Sequence, residues 1–214
     1  MRNSVTVGIL VSICLALMAT GSVIGQEVEN ELGIYTDQSA SHASTSINIA
    51  PMEEFTAYLV LTNPISYYTD PITDEVSVSE MNLITGLMCE IYFPESGFWI
   101  LSETFSGPGP RYGNHPLYEI GFVPGLPVPD SRVLTLITFN CMTLDTDPKE
   151  IFLGISQLSS WATGMEIYGS SLAGGSAQNV YPVSGDLANP VFGINTDVVA
   201  IEDAAWGDVK ALYR

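Results

Sequence analysis

Two cysteines, Cys89 and Cys141, stand 52 positions apart, and their residue type allows either a disulfide or a pair of buried thiols. A third, Cys14, lies in an apolar N-terminal stretch. The histidines are His42, in a polar loop, and His115, in "GNHPL". A nucleophilic triad needs a base beside a Ser or Cys, and neither histidine neighbours such a motif. "GSSLAGGS" is not a G-x-S-x-G elbow, because Ala173 stands where the second glycine belongs. No H-E-x-x-H, Walker loop or G-x-G-x-x-G occurs. Catalysis is therefore not expected.

Carboxylates are abundant, with 24 Asp and Glu against 6 Lys and Arg and a net charge of −18. Adjacent pairs such as Glu53-Glu54 and Glu202-Asp203 carry little meaning at that density. A glycosidase needs two carboxyls facing each other across a cleft, which spacing alone does not show. Calcium is the one ion that two loops suit, since hard cations take oxygen ligands. "TLDTDPKE" offers Asp145 and Asp147, and "YTDPITDE" offers Asp70 and Asp74, without a full EF-hand loop. No other cofactor is expected. The acidic balance repels phosphate backbones, so nucleic acid is not an expected partner. Another extracellular protein, or a glycan, is.

The elements that must position these groups read as strands. "FTAYLVLTNP" sets Phe55, Ala57, Leu59 and Leu61 against Thr56, Tyr58, Val60 and Thr62, and Asn63-Pro64 ends it. In "GLMCEIYFP", Leu87, Cys89, Ile91 and Phe93 share one side, with Glu90 and Tyr92 on the other. In "VLTLITFNCMTL", Ile137, Phe139 and Cys141 share a side. Period two thus turns both thiols inward. A bridge across the core is the expectation, with about 4 kcal/mol from the loop-entropy model; two free buried thiols are the alternative. "FWILSETF", "LYEIGFV", "EIFLGIS", "LGIYTD", "NVYPV" and "PVFGI" complete about nine short strands, the last two as edge strands. "SYYTDPITDEVS" reads as a connection, and residues 159–176 are Gly/Ser-rich and poorly periodic. Frequent turns without a βαβ rhythm predict an all-β antiparallel sandwich.

From Phe55 to about Ser156 the order of features resembles cohesin-like β-sandwich modules of secreted bacterial proteins. The likeness rests on "FTAYLVLTN", on Gly86 followed by "EIYFPESGFWIL", and on "VLTLITF" followed by "EIFLGIS". Tyr92-Phe93-Pro94 departs from the family's corner at that place. The resemblance implies a sandwich of the Ig-like or jelly-roll kind that works by protein–protein interaction or surface architecture. A carbohydrate-binding module or sugar hydrolase is the alternative, and it needs exposed aromatics. Trp99 in "FWIL" reads as core, while Trp161 in "QLSSWATG" and Tyr112 read as surface contacts for a partner.

The ends have their own patterns. Residues 26–197 are read as the sandwich domain and 198–214 as a tail. In the tail, Trp206, Val209, Leu212 and Tyr213 lie on one face of a short helix. Lys210 and Arg214 fall near its end, as the helix dipole favours. Trp206, Lys210, Tyr213 and Arg214 are candidates for docking on the body or for recognition by a partner. "WGDVKALYR" is also similar to short Trp-Gly-x-x-Lys endings of exported bacterial proteins. Residues 1–25 open with Arg2 and an apolar run to Met18, then small residues. That pattern fits a secretory signal, and the run is short for a membrane span of about 20 residues. Cleavage after Gly25 leaves 5 basic against 24 acidic residues, 5 − 24 = −19. Intact-mass measurement of the exported protein should therefore lack the first 25 residues; Met1 on protein outside the cytoplasm would refute processing.

Overall fold

The computed structural model describes residues 29–156, 164–171 and 174–196. The expected signal, Trp161 and the tail with Trp206, Lys210, Tyr213 and Arg214 lie outside these described residues.

The described chain is all-β. Its strands are β1 (Glu31–Tyr35), β2 (Ser46–Ile47), β3 (Glu54–Thr62), β4 (Ile65–Thr69), β5 (Val76–Tyr92), β6 (Phe98–Phe105), β7 (Arg111–Tyr112), β8 (Leu117–Pro127), β9 (Val133–Thr143), β10 (Lys149–Gly154), β11 (Met165–Ser171), β12 (Gly174–Pro182) and β13 (Phe192–Ile194). One 3-10 turn, His42–Ser44, precedes β2. Expected strands of one apolar face are present. The thirteen strands exceed the nine expected by β2 and β7, of two residues each, by β4, which is mostly exposed, and by β11, which lies in the Gly/Ser-rich stretch.

Two layers pack face to face. The first runs β1–β3–β9–β6, and the second is built around β5 with β8, β7, β10, β11 and β13. Pairing is antiparallel except at two places, where β12 runs parallel to β1 and β2 runs parallel to β13. Strand β12 bonds β11 on one edge and β1 on the other, so it joins the layers. It is therefore an internal strand and not the edge strand expected from Pro182. The proline is tolerated because the ladder to β11 ends at Val180 and the bonds to β1 come from the N–H groups of Tyr181 and Val183 on either side of it. The Gly/Ser-rich region contains β11, which β5 and β12 hold by backbone ladders on its two sides, and the start of β12, which pairs with β11.

The expected connection at residues 66–77 is instead a hairpin. Its arms pair Ile65↔Glu80 through Thr69↔Val76. Val76, Val78, Tyr67 and Tyr68 are exposed, so no buried face betrays the strands in the sequence. Its turn is set by Asp70, whose Oδ1 accepts from the Ile72 and Thr73 N–H groups at 2.7 and 3.1 Å. Arg132 pins its base, donating to the carbonyls of Pro64 and Met81.

The core is where period two placed it. Phe55, Ala57, Leu59 and Leu61 of β3 join Leu87, Cys89 and Ile91 of β5 and Ile137, Phe139 and Cys141 of β9 in one buried cluster. Aromatic rings bridge the layers: Tyr118 meets Phe139 edge-on at 6.1 Å, and Phe93 meets Phe139 at 5.2 Å.

Cys89 and Cys141 are both fully buried and both free thiols. The expected bridge is absent. Register turned each sulfur inward correctly, but it does not set the gap between layers. A disulfide needs Cα atoms within roughly 7 Å and Cβ vectors aimed at each other, which a shared inward side does not guarantee. Here Tyr118, paired in register with Cys89, and Phe139 occupy the interlayer space. Burial raises both thiols, Cys141 to about 12, so neither forms thiolate at neutral pH. Thiol labelling of the unreduced protein should add no label natively and two after denaturation. One label or none after denaturation would restore a bridge.

Candidate functional site

Residues on β5 that point away from the core lie on the outer face of the second layer. One row across it reads Tyr112 of β7, Glu119 of β8, Met88 of β5, Glu166 of β11 and Asn179 of β12. A neighbouring row reads Leu117, Glu90 and Gly154, and the next pairs Tyr92 with Phe152. Rows on one face of a strand are about 7 Å apart, and neighbouring strands about 4.8 Å. Met88, Leu117 and Glu166 are buried within these rows, so what reaches solvent is the half-buried carboxylates Glu90 and Glu119 with the exposed rings of Tyr92 and Tyr112.

Two glycines shape it. A Cβ on Gly154 would come within 2.5 Å of the Tyr92 ring, and one on Gly86 within 3.3 Å of the Tyr168 ring. Each ring therefore lies across the bare backbone of the adjacent strand. The phenols are tied to carboxylates of their own strands: Tyr92 donates to Glu90, and Tyr168 to Glu166 at 2.8 Å. The bond to Glu90 pushes the Tyr92 phenol up, and burial together with Glu166 pushes Tyr168 up to about 12. Both stay protonated donors at neutral pH. What this face can do is accept hydrogen bonds from cations and stack against flat groups.

The residues singled out from the sequence distribute unevenly. Tyr112 is on this face and 58% exposed. Glu90 and Tyr92 point outward as their alternation required. Glu119, Glu166 and Tyr168 were missed; their signal is the same out-of-phase alternation in "LYEIG" and "MEIYG". Trp99 corrects the sequence reading: it is 55% exposed on the outer face of β6, not core. The apolar partner for "FWIL" is Phe98, which turns inward.

Asp145 and Asp147 do not stand open for calcium. Lys149 donates to the Asp145 carboxylate and, at 3.2 Å, to the Asp147 carbonyl, with its own side chain only 6% exposed. The chain's own ammonium fills the position, and it holds the Asp145 carboxyl below the usual carboxylate range. Asp70 is engaged by its turn, and the Asp74 N–H donates to the Asp70 carbonyl. Among the described residues, no group of three or more His, Cys, Asp or Glu side chains is arranged to hold a metal ion.

No protein-family model matches the chain, and no curated protein matches it. Among solved structures, it is similar to a non-cellulosomal cohesin from the hyperthermophilic archaeon Archaeoglobus fulgidus. The two share 10% identity at a TM-score of 0.42, over 84% of this chain and 96% of that chain. Values of that size establish neither a shared activity nor a shared partner.

A second cluster has the residue types of acid–base chemistry. On the rim where β6 and β7 face each other, Arg111 donates to Glu103, and the Tyr118 hydroxyl donates to the other oxygen of Glu103 at 2.5 Å. The Arg111 guanidinium lies 4.7 Å over the Tyr118 ring and 5.6 Å over Phe105. His115 is close by, with its ring 5.4 Å from Phe93, and partial burial lowers it. Glu103 has both oxygens committed, so the cluster acts as a clamp that ties the two layers across their open edge. Glu103→Ala leaves the Tyr118 hydroxyl and the half-buried Arg111 unpaired. It should cost about 1–3 kcal/mol in urea unfolding, whereas Glu103→Gln, which still accepts from Tyr118, should cost less. Equal stability of the wild type and Glu103→Ala would dismiss the clamp.

Proposed function

We propose that this chain is an exported, non-catalytic interaction module that binds a protein of basic surface through the outer face of its second layer. The observation that carries the reading is charge without compensation. The described residues hold 19 acidic and 3 basic side chains, 3 − 19 = −16. Every one of those cations is engaged inside the fold: Arg111 by Glu103, Arg132 by Glu80 and two carbonyls, Lys149 by Asp145. None of the three lies among the carboxylates of the β8–β5–β11 face. A partner's Lys or Arg is thus the cation those groups lack, and Tyr112 and Tyr92 supply exposed aromatic area of the kind that anchors interfaces. Such a field speeds association more than it adds affinity, and salt weakens it.

Export rests on the N-terminal pattern of Arg2 and the apolar run that follows it. No helix among the described residues is long and apolar enough to cross a membrane.

The test is site-specific photo-crosslinking in the cells that make the protein. A photoreactive residue at Tyr112 should yield protein adducts, and the same residue at Thr104, on the opposite outer face, should not. Adding Glu119→Lys should remove the Tyr112 adducts. Adducts at neither position, or equally at both, would reject the reading.

A further inference from the structure

The outer face of the first layer differs in kind from that of the second. Its rows are Glu54–Met142–Trp99, Thr56–Asn140–Ser102 and Tyr58–Thr138–Thr104, each running across β3, β9 and β6. Glu54, at one corner, is the single charged residue in these rows. In a chain of net charge −18, such a neutral patch is a local exception.

Its polar groups are pre-positioned. Thr56 Oγ1 donates to Asn140 Oδ1 at 3.2 Å, and Asn140 Nδ2 donates to Ser102 Oγ at 2.8 Å. This chain of bonds fixes the Asn140 amide in the centre of the sheet. It leaves one amide hydrogen, one carbonyl lone pair and the Ser102 hydroxyl hydrogen free to bond outward. Asn140, Ser102 and Thr104 are exposed. Trp99 lies on the next row of the same face, about 7 Å along the strand. Trp99 is 55% exposed although Met142, its cross-strand neighbour, is buried. An indole displayed beside fixed neutral donors and acceptors matches the two faces of a pyranose ring, apolar C–H groups and hydroxyls.

We propose that this face is a second binding site, which takes a neutral polysaccharide by stacking one sugar on Trp99 and hydrogen-bonding the next through Asn140 and Ser102. Charge decides the class of glycan. A uronate, sulfate or phosphate polymer is repelled by the acidic body, whereas a neutral chain pays no such cost. An open face spread over β3, β9 and β6 suits an extended polymer lying across strands better than a small sugar, which needs a pocket to bury most of its surface. This site is separate from the acidic face and does not depend on a protein partner there.

Native affinity electrophoresis of the whole chain tests it, in gels containing hydroxyethylcellulose, xyloglucan or galactomannan, with polygalacturonate as the anionic control. At least one neutral polymer should retard the protein, and polygalacturonate should not. Trp99→Ala should weaken retardation at least tenfold, and Tyr112→Ala should leave it unchanged. Asn140→Asp, which changes one atom and adds a charge at the centre, should also weaken it and guards against misfolding of the alanine variant. The proposal is overturned if no neutral polymer retards the wild type. It is equally overturned if both variants migrate as the wild type does, or if polygalacturonate retards the protein as strongly.

Discussion

Strand β5 has hydrogen-bonded neighbours along both of its edges, and the rest of the molecule is arranged by that requirement. Its 17 residues pair with β4 near the start, with β8 and β11 through the middle, and with β10 at the end. A strand this long cannot stay flat, because strands twist. The ladders absorb the twist at bulges, at Tyr168/Gly169 and Ser170/Ser171 against β11 and at Ile84/Gly86 against β8. Gly86 sits where those corrections meet, with a neighbouring carbonyl 3.2 Å from where its Cβ would be. Inward, the strand contributes Leu87, Cys89 and Ile91 to the core; outward, it contributes Met88, Glu90 and Tyr92 to the acidic face.

The few basic residues explain how so acidic a chain holds together. Each described cation sits at a junction between elements. Arg111 closes the open rim between layers, Arg132 pins the β4–β5 hairpin, and Lys149 folds the loop before β10 onto Asp145. Half-buried pairs of this kind are less screened than surface pairs. The same arrangement leaves none of the described Lys or Arg side chains for the carboxylates of the β8–β5–β11 face, where Glu90 and Glu166 accept from phenols instead. Internal cohesion and an uncompensated surface are therefore two consequences of one distribution of charge.

The two outer faces then diverge. On the second layer, tyrosines lie over Gly86 and Gly154 and bond to Glu166 and Glu90, so aromatic and acidic groups alternate. On the first layer, hydroxyls and an amide bond to each other in the neutral middle of the face, with Glu54 at one corner. A sandwich has only two such faces, and their different chemistry gives this molecule two separate surfaces for two kinds of contact.

Much of this was legible in the residues themselves. Alternation in "FTAYLVLTN", "GLMCEIYF" and "VLTLITFNC" placed the core and turned Glu90 and Tyr92 outward, because a strand has only two sides. It could not reveal β4 or the first half of β5, whose side chains are mostly exposed on both faces, and the short alternation of "MEIYG" in β11 is hidden by the Gly/Ser-rich residues around it; backbone ladders make all three strands. It could not decide the sulfurs, since inward register says nothing of the distance between layers. It put Trp99 in the core because an apolar run offers no reason to turn one member out, and only pairing with Met142 on the outer side of β9 does so. Nor could it foresee that Lys149 would take the place assigned to calcium, although the two acids and the lysine fall within five positions of the chain. What residue types and period two determine is local: which side a group faces. Which groups meet across strands and layers is decided by register and packing, and those exist only once the whole chain is folded.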